Sequence, residues 1–204
     1  MDIYNIKDKP EFMKEVILLE HNQWSLKKLT DKELDIKIRE KEGFIKSNYD
    51  NPWFCKLVLV DGDDLIGFIS MFPADGDERS DLSPWYATMY VKEKYRGKGY
   101  SKLLNDAILK EARIRGFEKL YLKTNLDNYY EKFGAKYVED LNNGEKLYYI
   151  ETSGKQAGFI ASALLYGMLA LFLVLMLSTI YILANNKMSM DKLKEEALNI
   201  VESE

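Results

Sequence analysis

One cysteine, Cys55, in 204 residues excludes an intramolecular disulfide framework, and one histidine, His21, leaves no cluster with the spacing of metal ligands. No metal is therefore expected. An excess of positive charge is also missing. With 29 Lys and Arg against 33 Asp and Glu, the formal charge of -4 gives no reason to expect a nucleic-acid surface. The chain is too short for two full catalytic domains, and no internal repeat divides it.

Charge is missing locally as well. Residues 157–184 form a run of 28 without Asp, Glu, Lys, Arg, His, Asn, Gln or Pro. A bilayer core needs about 20 such residues in a helix, so the run is read as one transmembrane span that anchors the chain in a cell membrane. It is too long for the apolar part of a signal peptide. The chain then divides into a globular domain over 1–150, a short polar linker over 151–156, the span over 157–184, and a polar, weakly amphipathic tail over 185–204. Gly158 with Ser162, and Ala163 with Gly167, make small-residue pairs that permit close helix contact and hence self-association. Sidedness is read from two opposed signals. Lys187, Lys192 and Lys194 after the span outnumber Lys146 and Lys155 before it, which favours the tail inside. A folded N-terminal domain with no signal peptide ahead of it is expected on the cytoplasmic side, and this argument is given the greater weight.

Within the globular part, Ile3–Ile6 reads as a short strand, and Pro10 opens an amphipathic helix over Glu11–Trp24. Thr30 caps a second helix from Asp31. Two apolar runs, Phe54–Val60 and Leu65–Phe72, flank a turn at Gly62 and predict a hairpin. Trp85–Val91 follows as a strand, then a helix over Ser101–Arg115 that Gly116 ends. A strand over Lys119–Lys123, a short helix over Leu126–Phe133 and closing strands at Lys136–Val138 and Leu147–Ile150 complete an α+β pattern with one central crossover helix.

The junction before that crossover helix carries the chemistry. Arg96-Gly97-Lys98-Gly99-Tyr100-Ser101 places two glycines and two cations where a strand turns into a helix, so backbone N–H groups and positive charge can meet a phosphate. Taken alone, the same residues also fit a tight turn with a solvated basic rim, because neither the Rossmann nor the Walker fingerprint is present.

This loop resembles the Arg/Gln-x-x-Gly-x-Gly/Ala pyrophosphate loop of the GNAT N-acetyltransferases, and the order of elements is similar to theirs. Asp81-Leu82-Ser83-Pro84-Trp85, the strand Leu120–Thr124 and Tyr129-Tyr130-Glu131-Lys132-Phe133-Gly134 extend the resemblance over nearly all of residues 1–150. It departs at Ser101, which stands for the usual Gly or Ala yet keeps its backbone N–H, and at Asn125-Leu126 and Ala135, which bear on the acceptor pocket.

The resemblance implies the GNAT acyl-CoA N-acyltransferase fold, a mixed and mostly antiparallel central sheet with flanking helices. It implies acetyl-CoA as co-substrate, with Arg96, Gly97, Lys98, Gly99, Tyr100 and Ser101 on the pyrophosphate and Met89, Tyr90 and Val91 along pantetheine and thioester. Asn128 is a further expected cofactor contact, and Tyr130 is the expected general acid toward the CoA thiolate. For the small-molecule or peptide amine acceptor, His21, Trp24, Glu78, Asp81 and Trp85 are the candidate residues. Cys55 lies inside a predicted strand without a basic partner, which favours direct transfer over a thiol nucleophile. The expected activity is acetyl transfer from acetyl-CoA to an amine at the membrane. The alternative is a non-catalytic module of the same fold that senses acyl-CoA or scaffolds a membrane partner.

Overall fold

Two long apolar runs in a chain of this size must lie in the middle of a sheet covered on both faces, and they do. The computed structural model describes residues 1–25, 27–76, 78–152 and 155–201, with the side chains of the final helix described over 166–194. The chain divides into two units, Met1–Ser153 and Gly154–Glu204.

In the first unit, strands β2 (Cys55–Asp61) and β3 (Asp64–Phe72) form the expected hairpin and are buried nearly throughout. Strand β1 (Asp2–Asn5) pairs on β2, and β4 (Trp85–Val91) on β3. Strand β5 (Lys119–Thr124) runs parallel to β4, and the hairpin of β6 (Lys136–Asp140) and β7 (Lys146–Glu151) closes the other edge. The order is β1-β2-β3-β4-β5-β7-β6, antiparallel except at the β4–β5 centre. This is the mixed α+β sheet that the element pattern predicts.

Alternate residues of β2 and β3 feed two cores. Leu57, Leu59, Ile66 and Met71 pack with Leu104, Ile108 and Ala112 of helix α3 (Tyr100–Ile114). Val58, Val60 and Phe68 pack with Val16 and Ile17 of helix α1 (Met13–Trp24) and with Ile38 and Ile45 of helix α2 (Asp31–Ser47). Thr30 and Glu33 cap α2 reciprocally, each side chain taking the other's backbone N–H.

One position breaks the apolar rule. Lys56 shares the register of Val58 and Val60 and is 1% exposed. Its ammonium meets Glu20 of α1, itself 4% exposed, whose other oxygen accepts from Lys41 at 3.2 Å. Burial raises the Glu20 pKa, but the two lysines outweigh it and hold the carboxyl below its ordinary value.

Several bounds differ from expectation. β1 ends at Asn5 because the Asn5 side chain accepts the Lys7 N–H and turns the chain, so Ile6 begins a 3-10 turn. Pro10–Phe12 is a further 3-10 turn ahead of α1. The helix expected over Leu126–Phe133 is not formed. Thr124 Oγ1 takes the Leu126 N–H at 3.0 Å, Asn128 adopts φ 56°, and one 3-10 turn at Glu131–Phe133 remains. Glu151 ends β7, and Thr152 is tied to Phe117 and Glu118; the remaining expected linker includes residues 153 and 154, outside the described residues.

The second unit is one helix, α4 (Lys155–Val201). Within it the candidate span Tyr166–Lys194 contains an 18-residue stretch with a mean hydropathy of 2.4, none of it buried, long and apolar enough to cross a membrane. Gly158, Ser162 and Ala163, called for helix contact, lie outside the residues whose side chains are described.

Candidate active site

A parallel pair that separates leaves unpaired backbone along both strands. β4 and β5 are in register at Trp85 and Tyr121 alone, where the Tyr121 N–H donates to Pro84 O at 3.0 Å. Beyond that point the strands part, and a cleft of about 1070 Å³ opens between them. Residues 87–91 of β4 form one wall, Leu122 to Leu126 the other, and the start of α3 the mouth.

The β4 wall is bent. Its pairing with β3 slips between Phe68 and Ser70, and Thr88 sits at φ 46°. A β-branched residue in that region is a genuine outlier and costs on the order of 1–3 kcal/mol unless its surroundings enforce it. Here Thr88 Oγ1 shares a hydrogen bond of 2.8 Å with Ser70 Oγ on β3.

At the mouth, Gly99 caps α3 at φ 81°, a left-handed conformation that glycine adopts without penalty. No side chain caps the helix, and with the Lys102 N–H turned back to Gly99 O, the N–H groups of Gly99, Tyr100 and Ser101 are left for a ligand. A Cβ built on Gly97 or Gly99 would meet nothing within 4 Å, so the loop is open to an incoming group. Arg96 lies over the Tyr90 ring, with Nε donating to Val91 O at 3.0 Å. These donors and this open backbone fit a diphosphate such as that of coenzyme A.

Tyr130 stands in the opposite wall, half-buried, its ring edge-on to Tyr86 at 5.8 Å and to Tyr129 at 5.0 Å. Its carbonyl accepts from Phe133 and Ala135, which fixes the turn that presents it. Burial pushes the phenol up to about 12, and Tyr129 adds to the shift.

The cleft brings together Met89, Tyr90, Val91, Arg96, Gly97, Gly99, Tyr100, Ser101, Tyr130 and Trp24 from the expected site residues. Six others do not line it. The Lys98 ammonium lies over the Tyr95 ring, and Asn128 is an exposed turn residue. His21 is half-buried on α1, and Glu78 is exposed on the loop before β4. Asp81 gives both oxygens to Arg79, at 2.9 and 2.8 Å, so its carboxylate is committed. Trp85 is a core residue, 1% exposed, with Nε1 donating to Leu82 O. Cys55 is buried and its thiol is pushed up to about 12 by desolvation, which removes it as a nucleophile.

Among the cleft residues that were not anticipated are Thr88, Asp75, Lys123 and Glu145. Lys123 Nζ lies 4.0 Å from a carboxylate oxygen of each acid. Burial raises the Asp75 pKa, Lys123 opposes the shift and Glu145 adds to it. Asp75 lies in the same acidic loop as Glu78 and Asp81, and only its offset of three residues from the end of β3 sets it apart.

The sequence pattern described as the acetyltransferase (GNAT) family matches residues 16–135. A comparison with curated proteins finds no match. Among solved structures, the chain is similar to an aminoglycoside 6'-N-acetyltransferase complexed with coenzyme A, with 21% identity and a TM-score of 0.57 over 76% of this chain and 99% of that one. It is also similar to the aminoglycoside 6'-N-acetyltransferase from Enterococcus faecium, with 20% identity and a TM-score of 0.56 over 76% and 99%. A variant of the spermidine N-acetyltransferase from Vibrio cholerae gives 17% identity and a TM-score of 0.54 over 74% and 94%. At these identities the likeness is one of fold.

Proposed function

The chain belongs to the acetyltransferase (GNAT) family, and on that premise we propose that it moves an acetyl group from acetyl-CoA directly to a small-molecule amine, held at a membrane by α4. One observation carries this reading: the uncapped start of α3, the unpaired stretch of β4 and the Tyr130 phenol all face one cleft.

The N–H groups at Gly99 to Ser101 and the Arg96 guanidinium hold the pyrophosphate. The free edge of β4 receives the pantetheine arm, and the amides at the Thr88 bulge stabilise the negative charge that develops on the acetyl oxygen. Asp75 and Glu145 give the acceptor end two carboxylates against the single ammonium of Lys123, which suits a cationic amine. The amine nitrogen forms a bond to the acetyl carbon as the carbon–sulfur bond breaks. The ammonium releases one proton to solvent before it attacks, Asp75 takes the second as the amide forms, and Tyr130 gives its own proton to the sulfur and regains one from solvent.

A free thiol titrates near 8.5, so a phenol at about 12 donates uphill to a fully solvated thiolate. Burial beside Tyr130 would raise the thiolate's proton affinity as well, as the sulfur leaves. Cys55 takes no part, and transfer needs no covalent enzyme intermediate.

The test is turnover of acetyl-CoA against a panel of amines by the wild type and Tyr130→Phe. A general acid contributes about 10²- to 10⁴-fold, so kcat should fall by at least about 100-fold while the acetyl-CoA Kd is held. Equal rates would defeat the acid role. Binding of CoA with no transfer to any amine would replace the enzyme reading with the binding module.

A further inference from the structure

We propose that Lys56 is a positioning residue for acetyl transfer: anchored by Glu20, it holds the Thr88 bulge of β4 in shape through Ser70. The inference rests on the acetyl-transfer reading of the cleft and names what sets the geometry of its wall.

Nothing about a β-sheet core requires a lysine at this position. Val58 and Val60 occupy the neighbouring sites on the same face, and an apolar side chain would fill this one. A buried ion pair is weak evidence for stability, since well-packed apolar residues of similar volume do as well or better in its place. The direction of the network is therefore informative. From Glu20 on α1 it passes to Lys56 on β2, whose ammonium also lies 5.4 Å from the centre of the Phe68 ring and 5.6 Å from that of Phe72. Lys56 Nζ then donates to Ser70 Oγ on β3 at 2.7 Å. Ser70, 0% exposed, is bonded to Thr88 Oγ1.

The network thus ends on the residue whose backbone is strained, at the slip in the β3–β4 register and in the wall of the cleft. A left-handed threonine persists where the surroundings over-determine it. An ammonium locked between a carboxylate and two aromatic faces supplies a fixed donor for that purpose, and Ser70 transmits its position to Thr88. The bulge in turn aims the β4 amides at the place where the thioester carbonyl lies. Ser70 and Lys56 touch no reactant. Their effect should therefore appear in the rate of the transfer step and in the polarisation of the carbonyl, with little effect on cofactor capture, which belongs to the α3 loop that begins eight residues after Thr88.

Two variants separate this from a role in folding, both made in the full-length chain in detergent. Ser70→Ala cuts the network while leaving the ion pair whole. Glu20→Leu combined with Lys56→Met replaces the pair with apolar groups of similar size and leaves no lone buried charge. Each is measured for kcat, for the KM of acetyl-CoA, and for the infrared stretch of bound acetyl-CoA labelled with carbon-13 at the acetyl carbonyl. Displacement of a reacting group by about 1 Å costs up to about 100-fold, so kcat should fall about 10- to 100-fold with KM within about twofold of the wild type. The wild-type carbonyl stretch should lie below that of free acetyl-CoA and return toward it in both variants.

Wild-type kcat and stretch in both variants would overturn the inference and leave the acetyl-transfer reading intact. A wild type that binds and polarises acetyl-CoA but finds no acceptor still decides the matter through the carbonyl stretch alone. A wild type that does not bind acetyl-CoA overturns both readings.

Discussion

Asp75 and Tyr130 are both shifted upward by burial, and the shift suits them to the different tasks proposed for them. Tyr130, pushed up to about 12, keeps its proton through any ordinary assay and so is charged with an acid's role before the reaction begins. Asp75, raised by burial and by Glu145 against the pull of Lys123, must be ionised to take a proton. The acid limb of kcat/KM should therefore lie above the ordinary aspartate range, with the rate rising as pH rises through it, and no basic limb from Tyr130 should appear below about pH 11. Asp75→Asn should lower kcat/KM for the amine by about 100-fold and abolish that acid limb, read from pH profiles of both proteins. Retention of the limb in the variant would assign it to another group. Legibility divides along the same line. Arg96, Gly97, Gly99, Tyr100 and Ser101 line the cleft and stand together in one short segment, so their spacing made them candidates, while Tyr130, which also lines it, was a candidate through the family resemblance. Asp75, Lys123 and Glu145 come from the β3–β4 loop, the end of β5 and the β6–β7 turn, and no local pattern brings them together. Sequence reasoning chose Asp81 from the right loop, but the bidentate bond from Arg79 two residues away leaves that carboxylate no free oxygen.

The elements around the cleft are held apart or together by single residues at close contacts. Gly67 of β3 faces Tyr90 and Val91 of β4, and a Cβ there would lie 2.4 Å from Tyr90 O, 3.2 Å from Val91 Cα and 3.3 Å from Leu104 Cδ1. Two of those three atoms are backbone, so no rotamer change relieves the clash. Gly67→Ala must push β4 away from β3 and α3 at once, and overpacking of this kind costs about 1–3 kcal/mol. Urea unfolding should show a lower midpoint, and the acetyl-CoA Kd should rise because the displaced residues carry the β4 edge; a wild-type midpoint would mean that the strands separate freely. A lone glycine inside an apolar strand is the sequence trace of such an approach. The hairpin, the capped α2 and the crossover helix α3 were equally legible, since periodicity and turn chemistry decide them locally. The stretch from Leu126 to Phe133 was not. Its apolar spacing suits a helix, but the Thr124 side chain captures the first N–H and Asn128 turns left-handed, so local side-chain bonds outweigh periodicity there.

At the scale of the whole molecule, the two units ask for different solvents. Large apolar side chains of α4 stand exposed, Leu171 at 61%, Phe172 at 59% and Val174 at 62% among them, on a helix far too apolar to remain so in water. On the proposed reading a lipid bilayer covers this surface, and because acetyl-CoA is made in the cytoplasm we place the catalytic unit on that side and the residues after the apolar run on the other. The lysines argue the reverse, three after the span against two before it. The protein offers its own probe for this conflict. Cys55 is the sole cysteine, buried and with a thiol pushed up to about 12, so it is inert to maleimides at neutral pH. In Ser189→Cys the new thiol stands on the tail side of the apolar run as the one reactive group. A membrane-impermeant maleimide applied to intact cells should label it without permeabilisation, and the labelled protein should stay in the membrane fraction after alkaline extraction. Labelling that required permeabilisation would put the tail and its lysines inside, and would leave the cleft proposed for acetyl-CoA on the side of the membrane where that co-substrate is not made.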